Sequence, residues 1–256
     1  MNPKRWLHPT HIVYILVHAL IVLVGYLLAS SQDMLTKAIG ASMIAGGITG
    51  YAIFVYVLFS QRVTEQLSII TEFGLIKAFD ARAVRIKSEY DERLNRAHER
   101  IDVMGFGLRA LREDYLNDLE DWKRKANVRI LLLDPEFPDG RFTYANQRDA
   151  EERNPRGTIE IDVRQFVKDT ARLLGNDASR SFEVRLYSCL PSINIFRVDD
   201  ELFWGPYLMR QQSRNTPTFL VKRGGILFQR LVEQFENIWS DDTLSRPVPS
   251  DWLTKT

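Results

Sequence analysis

The chain has 256 residues, a formal net charge of +1 and one cysteine, Cys189. That length suits one ordinary domain plus an added element. The near-neutral charge excludes a whole-molecule polyanion binder, and a lone cysteine excludes an internal disulfide or a cysteine-based zinc cluster. The histidines, His8, His11, His18 and His98, offer no ligand spacing beyond the weak His8/His11 pair, so neither a metal nor a cofactor is expected.

Residues 11–30 read HIVYILVHALIVLVGYLLAS, and residues 38–60 read AIGASMIAGGITGYAIFVYVLFS. A bilayer core of ~30 Å needs about 20 mainly apolar residues per helix, and both stretches reach that length. The link SSQDMLTK is too short to fold, so residues 1–60 are predicted to form an antiparallel transmembrane hairpin. A cleaved signal peptide is the competing reading. The length of the first run, and the second that follows at once, favour a retained anchor. Lys4 and Arg5 precede the first span and Arg62, Lys77, Arg82 and Arg85 follow the second, while the link holds only Lys37. The positive-inside rule then places both termini and the rest of the chain in the cytoplasm of a cell whose inner membrane carries the hairpin.

Ser42, Gly46 and Gly50 recur at four-residue spacing in the second span. Small residues so spaced let helices approach closely in lipid, either against the first span or against a second copy, and spacing alone leaves both open. His18 is the one strongly polar side chain of the first span. An intramembrane ionisable group is a functional candidate by default, although a lone neutral imidazole more often bonds a neighbouring helix.

Residues 61–100 carry a helical pattern and serve as a connector, with Glu89/Arg93 and Glu92/Arg96 as i,i+4 pairs. IDVMGFGL (101–108) reads as a buried strand entering a glycine turn, and a helix is predicted over 109–125. VRILLLDP (128–135) is a near-continuous aliphatic run, the pattern of a parallel strand buried on both faces. Asp134 ends it, where open α/β sheets place ligand groups. Residues 137–158 read as a polar loop, 161–176 as a helix stopped by Gly175-Asn176, and 182–189, 193–208 and 216–224 as extended segments, with a turn at Asp199-Asp200. A final amphipathic helix covers 225–241, and residues 241–256 look like a loosely attached tail. The order β-α-β-α-β-β-β-β-α specifies a mixed α/β domain over residues 101–240.

IDVMGFGLRAL, VRILLLDP, the alternating strand and the DDELFWGPY turn together resemble a single phospholipase D-like domain covering about residues 74–240. The resemblance implies a mixed sheet flanked by helices. It also implies a histidine nucleophile and a phosphate-steadying lysine upstream of an aspartate. Laid on Asp199, those places hold Ser192 and Asn194, and only Asp199 and Gly205 match. Serine without an adjacent base is a poor nucleophile, and asparagine cannot supply a positive charge. No catalytic residue is therefore assigned. Arg109, Asp134, Arg197, Asp199 and Tyr207 lie near strand ends or turns. With Ser192 and Asn194 they make a degenerate ligand-binding site in which an arginine grips a phosphate or nucleotide. The plainer reading is that Asp134 and Asp199 cap turns and pair with those arginines.

The layout of two spans and a cytoplasmic domain resembles the two-span effectors of bacterial antiphage defence, such as a retron membrane protein or the effectors of nucleotide-signalling systems. The resemblance implies a non-enzymatic inner-membrane protein that perturbs the membrane on infection and causes abortive infection. Implied partners are membrane lipid, further copies of the chain, and either a reverse transcriptase with its non-coding RNA or a nucleotide signal. A membrane-tethered phosphodiesterase or lipid-modifying enzyme is the alternative. Basic residues are interleaved with acidic ones, so no nucleic-acid groove is expected.

Overall fold

The computed structural model describes residues 9–139, 141–176 and 180–253. Lys4, Arg5 and His8 lie outside them, as do the side chains of Arg62, Arg82 and Arg85. The chain divides into two compact units, Met1–Ile69 and Ile70–Thr256.

In the first unit α1 (Pro9–Ala29) is followed by α2 (Met34–Phe73), and both are long and apolar enough to cross a membrane. The turn between them is shorter than the expected link, because Asp33 starts α2 at once. Its carboxylate accepts from the backbone N–H of Thr36 at 2.9 Å and from the Thr36 hydroxyl at 2.7 Å, which satisfies donors that a helix start leaves open. The two helices pack through small residues. A Cβ on Gly40 would run into the backbone of Ala29 and Gly25, one on Gly47 into Val22, and one on Gly50 into the His18 ring. His18 donates through Nδ1 to the Tyr14 carbonyl at 3.0 Å and stacks on the Tyr14 ring, which stacks in turn on Phe54. The imidazole thus bonds its own helix and packs against the other. The spacing left open whether these small residues face the first helix or another copy, and the hairpin divides them. Gly50 and His18 meet, but Ser42 and Gly46 are exposed, with nothing within 4 Å of a Cβ on Gly46. Leu16, Tyr26, Leu27, Ile53 and Phe59 point outward as well. Helices apolar all round cannot bury that surface in one another.

The second unit is a mixed α/β fold. Gly74, in the left-handed region at φ +72, stops α2, and the chain turns into β1 (Leu75–Phe79). There follow α3 (Arg82–Arg96), β2 (Arg100–Gly105), α4 (Arg109–Tyr115), α5 (Leu119–Lys125) and β3 (Asn127–Leu133). A small hairpin of β4 (Pro138–Asp139) and β5 (Phe142–Thr143) leads to α6 (Tyr144–Glu152) and α7 (Thr158–Thr170). Then come β6 (Gly175–Asn176), β7 (Ser181–Tyr187), β8 (Ile193–Val198), β9 (Glu201–Pro206), β10 (Thr218–Lys222), α8 (Ile226–Ser240) and β11 (Ser245–Pro247).

The sheet order is β1-β10-β9-β8-β2-β3-β7-β11, with β6 also on β7. β2, β3 and β7 are parallel and central, and the other pairings are antiparallel. Ile101 sits beside Val128 and Val103 beside Ile130, all of them buried. Each such side chain contributes about 1.5–3 kcal/mol relative to exposure.

Four expectations need correction. The connector 61–100 is not all helix: β1 interrupts it and pairs with β10, because Gly74 ends one helix before the next begins. The polar loop contains α6, whose start is capped by Thr143 accepting from the Asn146 N–H at 3.1 Å. The tail is not loose, since β11 pairs with β7 and Trp252 lies under the Arg164 guanidinium at 4.1 Å. The helix expected over 109–125 is also broken, into α4 and α5.

The hairpin geometry separates two glycines. Gly40→Ala places a Cβ against backbone that cannot move aside, and it should lower stability in detergent by roughly 1–3 kcal/mol. Gly46→Ala should stay within about 0.5 kcal/mol of wild type. Thermal unfolding of the two variants side by side checks this, and equal losses would refute the packing described.

Candidate functional site

The seven residues expected to form one site fall into two groups, at opposite ends of β8. Five residues of strand at ~3.3 Å each put Asn194 and Asp199 roughly 16 Å apart.

At the first end, where the parallel strands finish, Asn194 is buried and donates through Nδ2 to the Gly205 carbonyl at 2.8 Å. Gly205 is itself wedged against the Pro217 carbonyl. Ser192 is exposed, and its carbonyl accepts from the Tyr207 N–H at 2.9 Å. Tyr207 stacks on Phe106 at 3.9 Å, and its hydroxyl and the Leu108 side chain lie over Gly105. The space above the end of β2 is thereby filled by side chains. Arg148 sits 5.4 Å from both stacked rings and donates to the carbonyls of Leu208 and Gln211 at 2.9 and 2.7 Å, which ties the loop after β9 to α6. Beside it the buried Asp149 carboxylate accepts from the Gly157 N–H at 2.9 Å and the Ile159 N–H at 3.2 Å, and so caps α7.

Asp134 is buried at the end of β3. It caps its own turn, accepting from the Glu136 N–H at 3.0 Å, and its partner is Arg246 of the C-terminal segment, at 2.5 and 3.0 Å. The arginine expected beside it, Arg109, is exposed at the start of α4 and pairs with Glu113 at 2.8 Å. An exposed i,i+4 pair of this kind contributes little.

At the second end, Asp199 sits in the β8–β9 turn at φ +49. Its carboxylate accepts from three consecutive backbone N–H groups, those of His98, Glu99 and Arg100, at 3.1, 2.9 and 2.8 Å. The His98 ring Nδ1 is 2.9 Å away. Asp199 therefore clamps the entry of β2. Arg197 donates through Nε to the Asp199 carbonyl at 2.9 Å and through Nη1 to Asp102 at 3.3 Å. Asp134 caps its own turn, whereas the Asp199 carboxylate binds the backbone entering β2, and neither side chain pairs with Arg109 or Arg197.

The sequence reading missed the most buried charge cluster. Asp102, 1% exposed, lies between Arg129 at 2.7 Å and Arg197 at 3.3 Å. Arg129 reaches on to Glu236 of α8 at 2.6 Å, and Arg100 joins Glu236 at 3.1 Å. Arg129 also lies against the rings of Phe235 and Trp239, and Arg197 against Phe228. Burial pushes the Asp102 carboxyl up, against the pull of Arg129 and Arg197. The hydrogen bond from Arg129 holds Glu236 below the usual carboxylate range. The available signal was a charge inside each of two aliphatic runs, RIDVMG and NVRILLL.

Chemically, the first end offers a serine hydroxyl, and His98, the histidine of the α/β unit, binds Asp199 at the other end. Among the described residues no group of three or more His, Cys, Asp or Glu is placed to hold a metal ion.

No family model matches the chain, and no curated protein matches it. Among the solved structures that match is TrmBL2, an archaeal chromatin protein reported to show a novel mode of DNA binding. It is 14% identical, the match covers 81% of this chain and 70% of that one, and the TM-score is 0.42.

Removing the Asp199 carboxylate leaves three backbone donors without their acceptor, so Asp199→Ala should cost about 1–3 kcal/mol. Ser192→Ala should change stability by less than about 0.5 kcal/mol. Chemical denaturation measures both, and a neutral Asp199→Ala would remove the clamp from the account. The lowered pKa of Glu236 means that its contribution is present at neutral pH and is lost as pH falls through the folded-state pKa. Glu236→Gln should accordingly flatten the acid limb of the stability profile, and an unchanged limb would place the acid sensitivity elsewhere.

Proposed function

We propose that this chain is a non-enzymatic inner-membrane effector of antiphage defence, in which the α/β unit senses a signal and the two apolar helices perturb the membrane. The observation that carries the reading is the occupied first end of β8. The place of a nucleophilic histidine holds Ser192 and the place of the lysine holds Asn194. The asparagine amide is already bonded to Gly205, and Leu108 and Tyr207 fill the space above Gly105. A scaffold without its catalysts, on a chain with two membrane-length helices, suits a receptor better than an esterase. The trigger is a partner or ligand of the α/β unit, either a reverse transcriptase with its non-coding RNA or a nucleotide signal.

The hairpin supports a route to output. Ala41, Ser42, Ala45, Gly46 and Thr49 form an exposed small-residue face of α2 that the first helix leaves uncovered. In lipid such a face associates with another copy through close backbone approach. Both termini are cytoplasmic on this reading, with the hairpin turn outside.

Three measurements test it. Gly46→Leu should abolish growth arrest and dye uptake on overexpression at matched protein levels, because bulk on that face blocks close approach while leucine still inserts readily. Arrest by a fragment from Gln61 onward would assign the harm to the α/β unit and end the membrane-effector reading. Purified protein should show no phosphodiester turnover above background, and turnover lost in Ser192→Ala would establish the enzyme alternative. A cysteine in place of Gln32 should be labelled from outside intact cells, whereas labelling only after lysis would reverse the topology.

A further inference from the structure

Helix α2 is 40 residues long. At about 1.5 Å per residue it measures roughly 60 Å, twice the ~30 Å core of a bilayer. The second apolar run ends near residue 60, and Glu65 and Glu72 beyond it keep the last turns of the helix out of hydrocarbon. Those turns nevertheless show apolar side chains to the outside. Val63, Leu67 and Ile70 are 53, 56 and 44% exposed. They follow one another at steps of four and three residues, the spacing of a seam along which one helix meets another.

The seam has a distinct front and back. At 3.6 residues per turn Glu65 and Glu72 fall on the opposite side of the helix. So do Gly40, Gly47 and Gly50, where α2 meets α1, and the first helix therefore does not occupy the seam. The positions beside it hold Thr64, Gln66 and Thr71, none of them charged. The Thr64 hydroxyl donates to the Ser60 carbonyl at 2.9 Å, so it is satisfied within its own helix. Identical helices can approach along this front without setting like charges against each other. Followed back toward the start of α2 at the same steps, the line passes Ser60, Tyr56, Ile53, Thr49, Gly46 and Ser42, all exposed. The small-residue face within the span and the apolar front beyond it are one continuous line.

We infer that the α2 helices of several copies of this chain join along this line in a parallel bundle, closed beyond the lipid by Val63, Leu67 and Ile70. The inference rests on the membrane reading given above, under which every copy leaves the bilayer in the same direction. A shared membrane also holds the copies at high effective concentration, so a short seam suffices. The step from Leu67 to Ile70 is three and that from Val63 to Leu67 is four. Leucine thus stands at an a position and β-branched residues at d, an arrangement that favours three or four strands over two. Gly74, at φ +72, ends the helix and the seam together.

The test uses the full chain in membranes, with Cys189→Ser removing the native thiol. Single cysteines are introduced and oxidised. Val63→Cys and Ile70→Cys should give disulfide-linked pairs, and Glu65→Cys and Glu72→Cys about tenfold fewer, because the back of each helix faces away from the bundle. In the Ile70→Cys chain, Leu67→Glu should lower the cross-link about tenfold, since it brings a carboxylate from every copy into the seam. Ser68→Glu adds the same charge off the seam and should leave the cross-link unchanged. Both positions are exposed and glutamate suits a helix, so the chain still folds. Native mass spectrometry of the unlinked protein should give three or four chains per particle. No cross-link at Val63→Cys and Ile70→Cys, equal cross-linking around the helix, no effect of Leu67→Glu, or particles of one or two chains would each overturn the inference. A seam that lies on lipid headgroups or on a different protein predicts the first of these. Growth arrest without the cross-link would sink the bundle and leave the effector reading standing. The cross-link without growth arrest would do the reverse.

Discussion

A single buried carboxylate organises the α/β unit. Asp102 on β2 accepts from Arg129 of β3 and Arg197 of β8, and Arg129 passes the connection to Glu236 of α8. Three neighbouring strands and the covering helix are thus joined by charge-assisted bonds that run from the buried Asp102 out to the part-exposed Glu236. Such a cluster is costly to desolvate, and its worth lies in its completeness. Removing one partner strands the others, at a cost of about 3–5 kcal/mol. The rings of Phe228, Phe235 and Trp239 lie against the guanidinium faces, so the helix packs onto a charged stretch of sheet without leaving the charges bare.

The polar groups that frame the sheet follow the same logic. Asp199 gathers three backbone donors at the entry of β2, Asp149 caps α7 from a different helix, and Asp134 holds the C-terminal segment through Arg246. Each of these carboxylates sits where a ligand group is often found, and each is committed to the backbone or to a salt bridge.

The apolar hairpin obeys a different constraint. Where helices face lipid, the hydrophobic effect does not separate inside from outside, and close approach depends on residues without bulk. Gly25, Gly40, Gly47 and Gly50 provide that approach within the hairpin. Ser42 and Gly46 lie on another face of the same helix, a division that only the rotation of α2 against α1 reveals.

The sequence by itself determined the two membrane-length helices, because length and unbroken apolarity are local properties. It also determined the central strands of the α/β unit, whose aliphatic runs report burial on both faces, and the absence of a histidine–lysine pair before Asp199. The tertiary structure alone decided which charges meet. Asp102, Arg129 and Glu236 lie far apart in the chain, and register and helix packing bring them together. Helix α6 was illegible because its inward stripe, Ala145, Arg148, Asp149 and Glu152, is mostly polar, and it satisfies partners supplied by distant loops. Strands β1 and β11 were hidden for a related reason. Edge strands bury little, so their residues carry weak patterning, and their place is set by the backbone bonds of the strand they join.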